Sequence, residues 1–399
     1  MANPIEVGVF GALIDNDNLG CQALTYSIVS LLETISKDLN IQFHYNIFEI
    51  RANKQCTINF SNRLKIDTSK INALNQGNYH DILRKIKHFH DNKRMQLVIP
   101  KCAFVIDLTQ GDSFTDIYGK YRFESLTQLK EIIENKTKLL LGSQTYGPFQ
   151  NPENEKRAAD VIRRAEAVFT RDRISGDYVK KISGVTPILT CDLAFRLPYE
   201  SRSNEKTGSA KRVGFNISGL LVSDKQEGTS TEFTLKTNYD EFVRDVLDYL
   251  ISHQYEVHLI GHVAADYTVN KMLKKEYPSV ILAPEFDNPM DAKSYISSMD
   301  LFIGSRMHAT IAALTSNTPV VPVAYSRKFT GLFENVDYPY VVDLRTEDTQ
   351  TTVQAVIDRI ENYDETKRAT EKSYQIAMRQ NDECLKAYET VIRKVLSNR

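Results

Sequence analysis

The chain has 399 residues, more than one hydrophobic core usually organises, so two domains are expected. Hydrophobic residues make up 42% and charged residues 25%, a globular balance that excludes disorder as a description of the whole chain. Lysine plus arginine against aspartate plus glutamate is 50 to 51, so no field over the whole protein draws it onto nucleic acid, and any recognition of anions has to be local.

Short apolar runs alternate with segments of helical period, the pattern that yields βαβ units and parallel sheets. The first strand is expected over residues 7–11 and its helix over 22–32. A strand over 41–50 follows, then a polar, basic stretch of helical spacing over 68–92. Strands over 103–108, 138–142, 167–170 and 187–191 come next, separated by helices over 123–135, 155–165 and 174–181. Over 201–212 the composition turns to Ser, Asn, Glu, Lys, Thr and Gly without apolar period, which reads as a linker. The alternation then restarts, with strands over 213–217, 256–260, 280–283, 301–304, 319–324 and 340–344, and helices over 239–252, 266–276, 291–298 and 309–316. A patternless loop over 219–235 is long enough to be functional or mobile. The fold class is therefore α/β, two Rossmann-like doubly wound domains facing a cleft. The expected domains are 1–205 and 206–365, with a helix over 366–399 that has room to cross back to the first domain.

Cys21, Cys56, Cys102, Cys191 and Cys384 are odd in number, scattered and without C-x-x-C, so neither a disulfide framework nor a zinc site is indicated. No signal peptide or membrane-spanning run is legible, and the chain reads as cytoplasmic, with peripheral attachment at the inner face of the membrane left open. His80, His88 and His90 lie among Lys85, Lys87, Lys93 and Arg94, which reads as a solvated basic face rather than a metal site, and one that could meet anionic lipid headgroups. His253, His258 and His262 need be no more than core or surface histidines. No metal and no resident cofactor are called for.

Ligands of open parallel sheets bind beyond the carboxyl ends of the strands, and polar residues collect there. Asp15 to Gly20 follow the first strand, Gln110 to Asp116 the 103–108 strand, Gly142 to Phe149 the 138–142 strand, Arg171-Asp172 the next, and Asp192 the last of that half. In the second half, Ser305-Arg306-Met307-His308 opens a helix after the 301–304 strand, and Ser326-Arg327-Lys328 follows the 319–324 strand. A helix N-terminus favours anions, and Arg306, His308 and Lys328 make it a pocket of dianion size, suited to phosphate plus carboxylate on one small molecule.

Asn18-x-Gly20, Gly111-Asp112-Ser113-Phe114, Gln144-Thr145-x-Gly147-Pro148-Phe149, Arg171-Asp172 with Ser175, Asp192-x-Ala194-Phe195, Arg306-x-His308 and Tyr325-x-x-Lys328 stand in one order. In that order the chain resembles the polysaccharide pyruvyl transferases, a family similar in architecture to two-Rossmann glycosyltransferases. The resemblance implies transfer of a pyruvyl group from phosphoenolpyruvate to two hydroxyls of a sugar, forming a cyclic ketal on a bacterial surface polysaccharide precursor, free or lipid-linked. It implies the acceptor on the first domain and phosphoenolpyruvate on the second. The sequence departs from the family in Leu108-Thr109-Gln110-Gly111, where a glycine-rich run is usual, and in an unusually acidic and amide-rich Asp15 to Asn18.

On this reading Arg306 and Lys328 hold the donor's anionic groups, with Ser305 and Tyr325 beside them, and Arg171 approaches from the other domain. His308 is the first candidate for general acid, and Asp112 or Asp192 for accepting a proton from a sugar hydroxyl. Asn18, Gly20, Ser113 and Gln144 contact sugar or phosphate. Structural alternatives stand beside these roles. Arg306 and His308 could form a helix-starting turn, Arg171-Asp172 could lock a loop, Asp112 could be a helix cap and Asp192 a turn residue. Two other functions compete: a glycosyltransferase using a nucleotide sugar, with Glu285 for the ribose, and a non-catalytic binder of a phosphorylated metabolite. The oligomeric state is not legible.

Overall fold

A computed structural model describes residues 3–49, 52–77, 82–205, 211–222 and 234–398. His80, residues 206–210 of the expected linker and residues 223–233 of the expected long loop lie outside the described residues. The chain forms two all-parallel sheets. The first contains β1 Ile5–Phe10, β2 Phe43–Glu49, β3 Ile71–Asn75, β4 Phe104–Asp107, β5 Lys138–Gln144, β6 Ala167–Thr170 and β7 Ile188–Leu189, in the order β3-β2-β1-β4-β5-β6-β7. The second contains β8 Arg212–Asn216, β9 Glu256–Leu259, β10 Ile281–Leu282, β11 Leu301–Gly304, β12 Val320–Ala324 and β13 Val342–Asp343, in the order β10-β9-β8-β11-β12-β13. In each sheet the strand order reverses once, between β1 and β4 and between β8 and β11.

The strands are apolar because helices cover the sheets. In the first unit Phe123, Leu126, Leu129 and Ile133 of helix Lys120–Glu134 pack with Phe10, Val105, Leu139 and Leu141. In the second, Phe242, Val246, Leu247 and Leu250 of helix Tyr239–Ser252 pack with Val213, Phe215, Ile303 and Val321. The helices start where short polar side chains can take up main-chain N–H groups: Asn151 accepts from Glu153, Asn238 from Glu241, Asn288 from Asp291 and Asp348 from Thr351.

The stretch over 68–92, expected to be helical, contains the edge strand β3. Of its five residues only Ile71 and Leu74 are buried, a spacing with no strand alternation, and pairing with β2 decides the conformation.

The chain divides into two compact units, one of Met1–Asn16, Leu24–Pro198 and Gln380–Arg399, the other of Asp17–Ala23 and Tyr199–Arg379. The second unit thus takes in a short segment near the N-terminus, and its long stretch begins at Tyr199 rather than at residue 206. Helix Tyr363–Ser397 serves both units. Its earlier part presents small groups, Thr366, Thr370 and Ser373, and Thr370 Oγ1 accepts from Val320 N at 3.2 Å. Its later part buries Cys384, Tyr388, Ile392 and Val395.

Tyr388 repairs the first sheet. The β5 register on β6 shifts between Leu141 and Gln144, and within that irregularity Ser143 N donates to Tyr388 Oη at 2.9 Å. The tyrosine ring stacks on Phe169 of β6, centroids 4.0 Å apart and planes 4° from parallel. Tyr388→Phe should cost about 1–3 kcal/mol by stranding a buried N–H. Tyr388→Ala, which also opens a cavity, should cost roughly 3–5 kcal/mol. Urea denaturation checks both, and equal stability of Tyr388→Phe and wild type would show that the hydroxyl does not support β5.

Candidate active site

Loops diverge at the carboxyl ends of the two strands flanking a reversal of strand order, which leaves a crevice in a sheet that is otherwise covered. In the second sheet, β8 ends there on Asn216, which is buried. Its main-chain oxygen accepts from Ser305 N at 3.1 Å and its side-chain oxygen from Arg306 N at 2.9 Å, while Nδ2 donates to Ile260 O at 2.8 Å. One amide therefore fastens the ends of β8, β9 and β11.

Arg306 stands in extended conformation at the start of helix Met307–Thr315. Its Nη2 donates to Asp266 Oδ1 at 2.8 Å, and Nε lies 3.2 Å from the same oxygen. The fully buried Asp266 carboxylate also accepts from Gly219 N at 2.9 Å, His262 N at 3.1 Å and Val263 N at 3.2 Å. Burial opposes the charge on Arg306, and the Asp266 carboxylate more than offsets it, so the guanidinium lies above its ordinary pKa.

His308 occupies the first turn of that helix. Gly20 packs against its ring so closely that a Cβ there would lie 2.5 Å from Nδ1, which only glycine avoids. Gly20 reaches this place because residues 17–19 run antiparallel to the segment after β9. Asn18 bridges to Val263, Leu19 N donates to His262 O at 3.1 Å, and Ala264 N donates to Asp17 O at 3.2 Å. Asn18 and Gly20 therefore sit with the second unit and not, as the sequence reading has it, with residues 1–205. The Asn18 side-chain oxygen accepts from Gly20 N at 3.0 Å and caps helix Leu19–Asp38.

His262 is buried with no hydrogen-bond partner on either ring nitrogen. Burial first, and then the nearby charges of His308 and Arg306, pull it down to about 3, so the imidazole is neutral at ordinary pH. The Ser305 hydroxyl receives the Tyr239 Oη–H at 2.9 Å and is buried. Tyr325 follows β12, its ring edge-on to Phe329, and Lys328 is half-buried in the first turn of helix Arg327–Glu334.

In the first unit the reversal lies between Gly11 and the end of β4. Gly11 has φ 64°, and a Cβ there would lie 2.4 Å from Thr109 N. Thr109 and Gln110 take φ 40° and 55°, left-handed backbone carried by residues that are not glycine. Buried Asp107 supports that turn: it accepts from Thr109 N at 3.1 Å and from Gln144 Nε2 at 3.1 Å, with Lys130 Nζ at 3.3 Å. Burial pulls Lys130 below the usual lysine value against the attraction of Asp107, and its Nζ lies 4.6 Å from the Phe114 ring centroid. Gln144 is thus the last residue of β5 rather than part of a loop, and its amide nitrogen holds Asp107.

Ser113 Oγ accepts from Arg122 at 2.8 Å, and half-buried Asp112 accepts from Tyr118 Oη at 3.0 Å. Arg171 and Asp192 form a buried pair, Nη1 to Oδ2 at 3.0 Å, and the other Asp192 oxygen accepts from Ala194 N at 2.9 Å. Asp192 thereby combines a turn and an ion pair. Asp172 caps helix Arg173–Ser183 through Ser175 N. His88 Nδ1 lies 3.2 Å from Asp91, and no group of three or more His, Cys, Asp or Glu side chains able to hold a metal occurs among the described residues.

The structure gathers Ser305, Arg306, His308, Asn18 and Gly20 in the second unit, and pairs Arg171 with Asp192 in the first. The sequence reading missed Asn216, Asp266 and the place of His262. Asp266 opens a predicted helix and passes for a cap, and Asn216 passes for ordinary strand; nothing local marks either as a partner of Arg306.

The family model for polysaccharide pyruvyl transferase matches residues 18–327, from the Asn18 cap to the start of the helix that bears Lys328. The chain belongs to the polysaccharide pyruvyl transferase family. A curated relative, the amylovoran biosynthesis protein AmsJ of Erwinia amylovora, is 21% identical over 280 residues, 64% of this chain and 65% of that protein. The match thus spans just under two thirds of the relative's length. Among solved structures, UDP-GlcNAc 2-epimerase from Neisseria meningitidis bound to UDP-GlcNAc is similar with TM-score 0.60 and 12% identity, covering 98% of this chain and 99% of that one. The S. aureus MnaA–UDP complex has the same score and identity, covering 98% of each chain. These likenesses show the fold, α/β with two Rossmann-type sheets.

His262 makes stability depend on pH. Below the unfolded value near 6.5 the unfolded chain binds a proton that the folded chain refuses, so stability present above that pH is lost as pH falls toward about 3. Between pH 7 and pH 5 wild type should lose about 2 kcal/mol that His262→Gln does not lose. Urea titrations at the two pH values measure the difference, and parallel losses would show that His262 titrates normally. Asp266→Ala should cost roughly 3–5 kcal/mol in the same assay, because it strands Arg306 and three main-chain donors.

Proposed function

We propose that the protein transfers a pyruvyl group from phosphoenolpyruvate to two hydroxyls of a sugar on a bacterial surface polysaccharide precursor, releasing inorganic phosphate. The observation that carries this reading is Arg306-x-His308 at a helix N-terminus beside the β8/β11 reversal, within the span matched by the family model. The dipole of a helix N-terminus and a fixed guanidinium suit a small dianion.

In the proposed reaction the terminal carbon of the enol takes a proton and the central carbon becomes electrophilic. One sugar hydroxyl attacks that carbon and gives up its proton. The carbon–oxygen bond to phosphate then breaks as the second hydroxyl closes the ring, and its proton leaves on phosphate. Arg306 and Lys328 stabilise the departing charge, and His308 delivers the proton to carbon or to the leaving group. Asp112 is the better candidate for receiving a hydroxyl proton, since it is half-buried whereas Asp192 is closed in with Arg171. No resident cofactor is assigned. A lipid-carried acceptor would bring the protein to the inner face of a membrane.

Calorimetric titration of the full chain with phosphoenolpyruvate, beside uridine and guanosine diphosphate sugars, tests the donor. Wild type should bind phosphoenolpyruvate, and Arg306→Ala should weaken it by roughly 10- to 150-fold, the loss of a charge-assisted pair. Binding of a nucleotide sugar alone would replace pyruvyl transfer by glycosyl transfer. Binding of phosphoenolpyruvate unaffected by Arg306→Ala would move the donor site elsewhere.

A further inference from the structure

Helices Ile82–Lys87 and Phe89–Val98 carry more than the solvated basic face that their sequence suggests. Ile82 is 75% exposed, Leu83 80%, Ile86 68%, Phe89 58% and Leu97 60%. No other stretch of similar length among the described residues exposes more than three large apolar side chains. The segment is nevertheless anchored, because Met95 and Ile99 are fully buried in the first core and Asn92 is buried beside them. Its outer face is therefore apolar by composition and not through detachment.

The exposed apolar side chains lie among exposed Lys85, Lys87, Lys93, Arg94 and Lys101. The one acidic residue of the segment, Asp91, is engaged by His88 and by Asn75 Nδ2 at 3.3 Å. On a chain whose formal charge is -1, this is a concentrated positive patch. Apolar side chains that leave water beside cations that stay at its edge match the boundary between headgroups and acyl chains of an anionic bilayer.

We propose that this face docks the protein onto an anionic membrane surface, with Ile82, Leu83, Ile86 and Phe89 entering the boundary and the lysines meeting lipid phosphates. A second copy of the chain is a poorer occupant, because a two-fold contact through the face would set its basic residues against themselves. The proposal rests on this surface alone and is independent of the donor chemistry.

Flotation of the full chain with vesicles of phosphatidylcholine, with and without phosphatidylglycerol, tests it without substrate. Wild type should float with the anionic vesicles only and be released by salt. Lys85→Gln with Lys87→Gln should weaken binding by about fivefold per charge. Leu83→Asp with Ile86→Asp should weaken it at least about tenfold while leaving the thermal midpoint unchanged, since both side chains already face water. Equal flotation with neutral vesicles, no flotation, or wild-type flotation of the aspartate variant overturns the proposal. A dimer in light scattering that the aspartate variant dissolves would also overturn it, by showing that a second copy covers the face.

Discussion

The second unit is organised around one carboxylate. Asp266 collects the guanidinium of Arg306 and the main-chain N–H groups of Gly219, His262 and Val263, so segments far apart in sequence are held to one buried point. A buried carboxylate is costly unless its lone pairs are filled, and filling them here requires these segments to take up the observed positions together. The extended backbone of Arg306, the turn after β9 and the strand end at Asn216 are therefore mutually dependent. The residues 17–20 that pack on the β9 turn are drawn into the same arrangement, which is how Gly20 comes to lie under the ring of His308.

The first unit solves a related problem with a different charge. There the chain turns at Thr109 and Gln110 through left-handed backbone that glycine would adopt at no steric cost. Asp107 offsets the strain by accepting from Thr109 N, and Lys130 and Gln144 fill its other lone pairs. The departure from glycine is thus accompanied by a buried network that can hold a single loop conformation. A loop fixed by charge-assisted bonds is more rigid than a glycine loop, at the expense of close backbone approach by a ligand.

Much of this was legible in the sequence and some was not, for identifiable reasons. Strands such as Leu301–Gly304 and Ala167–Thr170 announce themselves because both faces are covered and every residue but the closing Thr170 is apolar. The polar strand ends are legible for the same reason, since composition changes where burial stops. β3 is hidden because an edge strand with two buried side chains carries no period of its own. Asn18 and Gly20 stand out in the sequence, but chain order assigns them to the first domain, whereas the main-chain pairing of Asn18 with Val263 puts them in the second unit. Asp266 carries no local mark in the sequence as a partner of Arg306, which lies forty positions away. Spacing within a motif can reveal neighbours on one helix, but a long-range ion pair leaves no local trace.

The pairing of Arg306 with Asp266 bears on how an anion could be recognised. Taken together the two side chains carry no net charge, so attraction at a distance is weaker than three basic residues in sequence would suggest. What the pair supplies is position. An arginine already fixed by a carboxylate gives up little rotameric freedom when a ligand arrives, and the helix N–H groups beside it point outward by construction. Such a site discriminates by the fit of donors to oxygens rather than by charge alone, and it does so in partly buried surroundings where each hydrogen bond is worth more than in water. The neutral, unpartnered imidazole of His262 follows the same logic, since a second cation beside Arg306 would repel both the guanidinium and any proton carried by His308. An uncharged His262 leaves the Arg306–Asp266 pair without a further cation from that ring beside it.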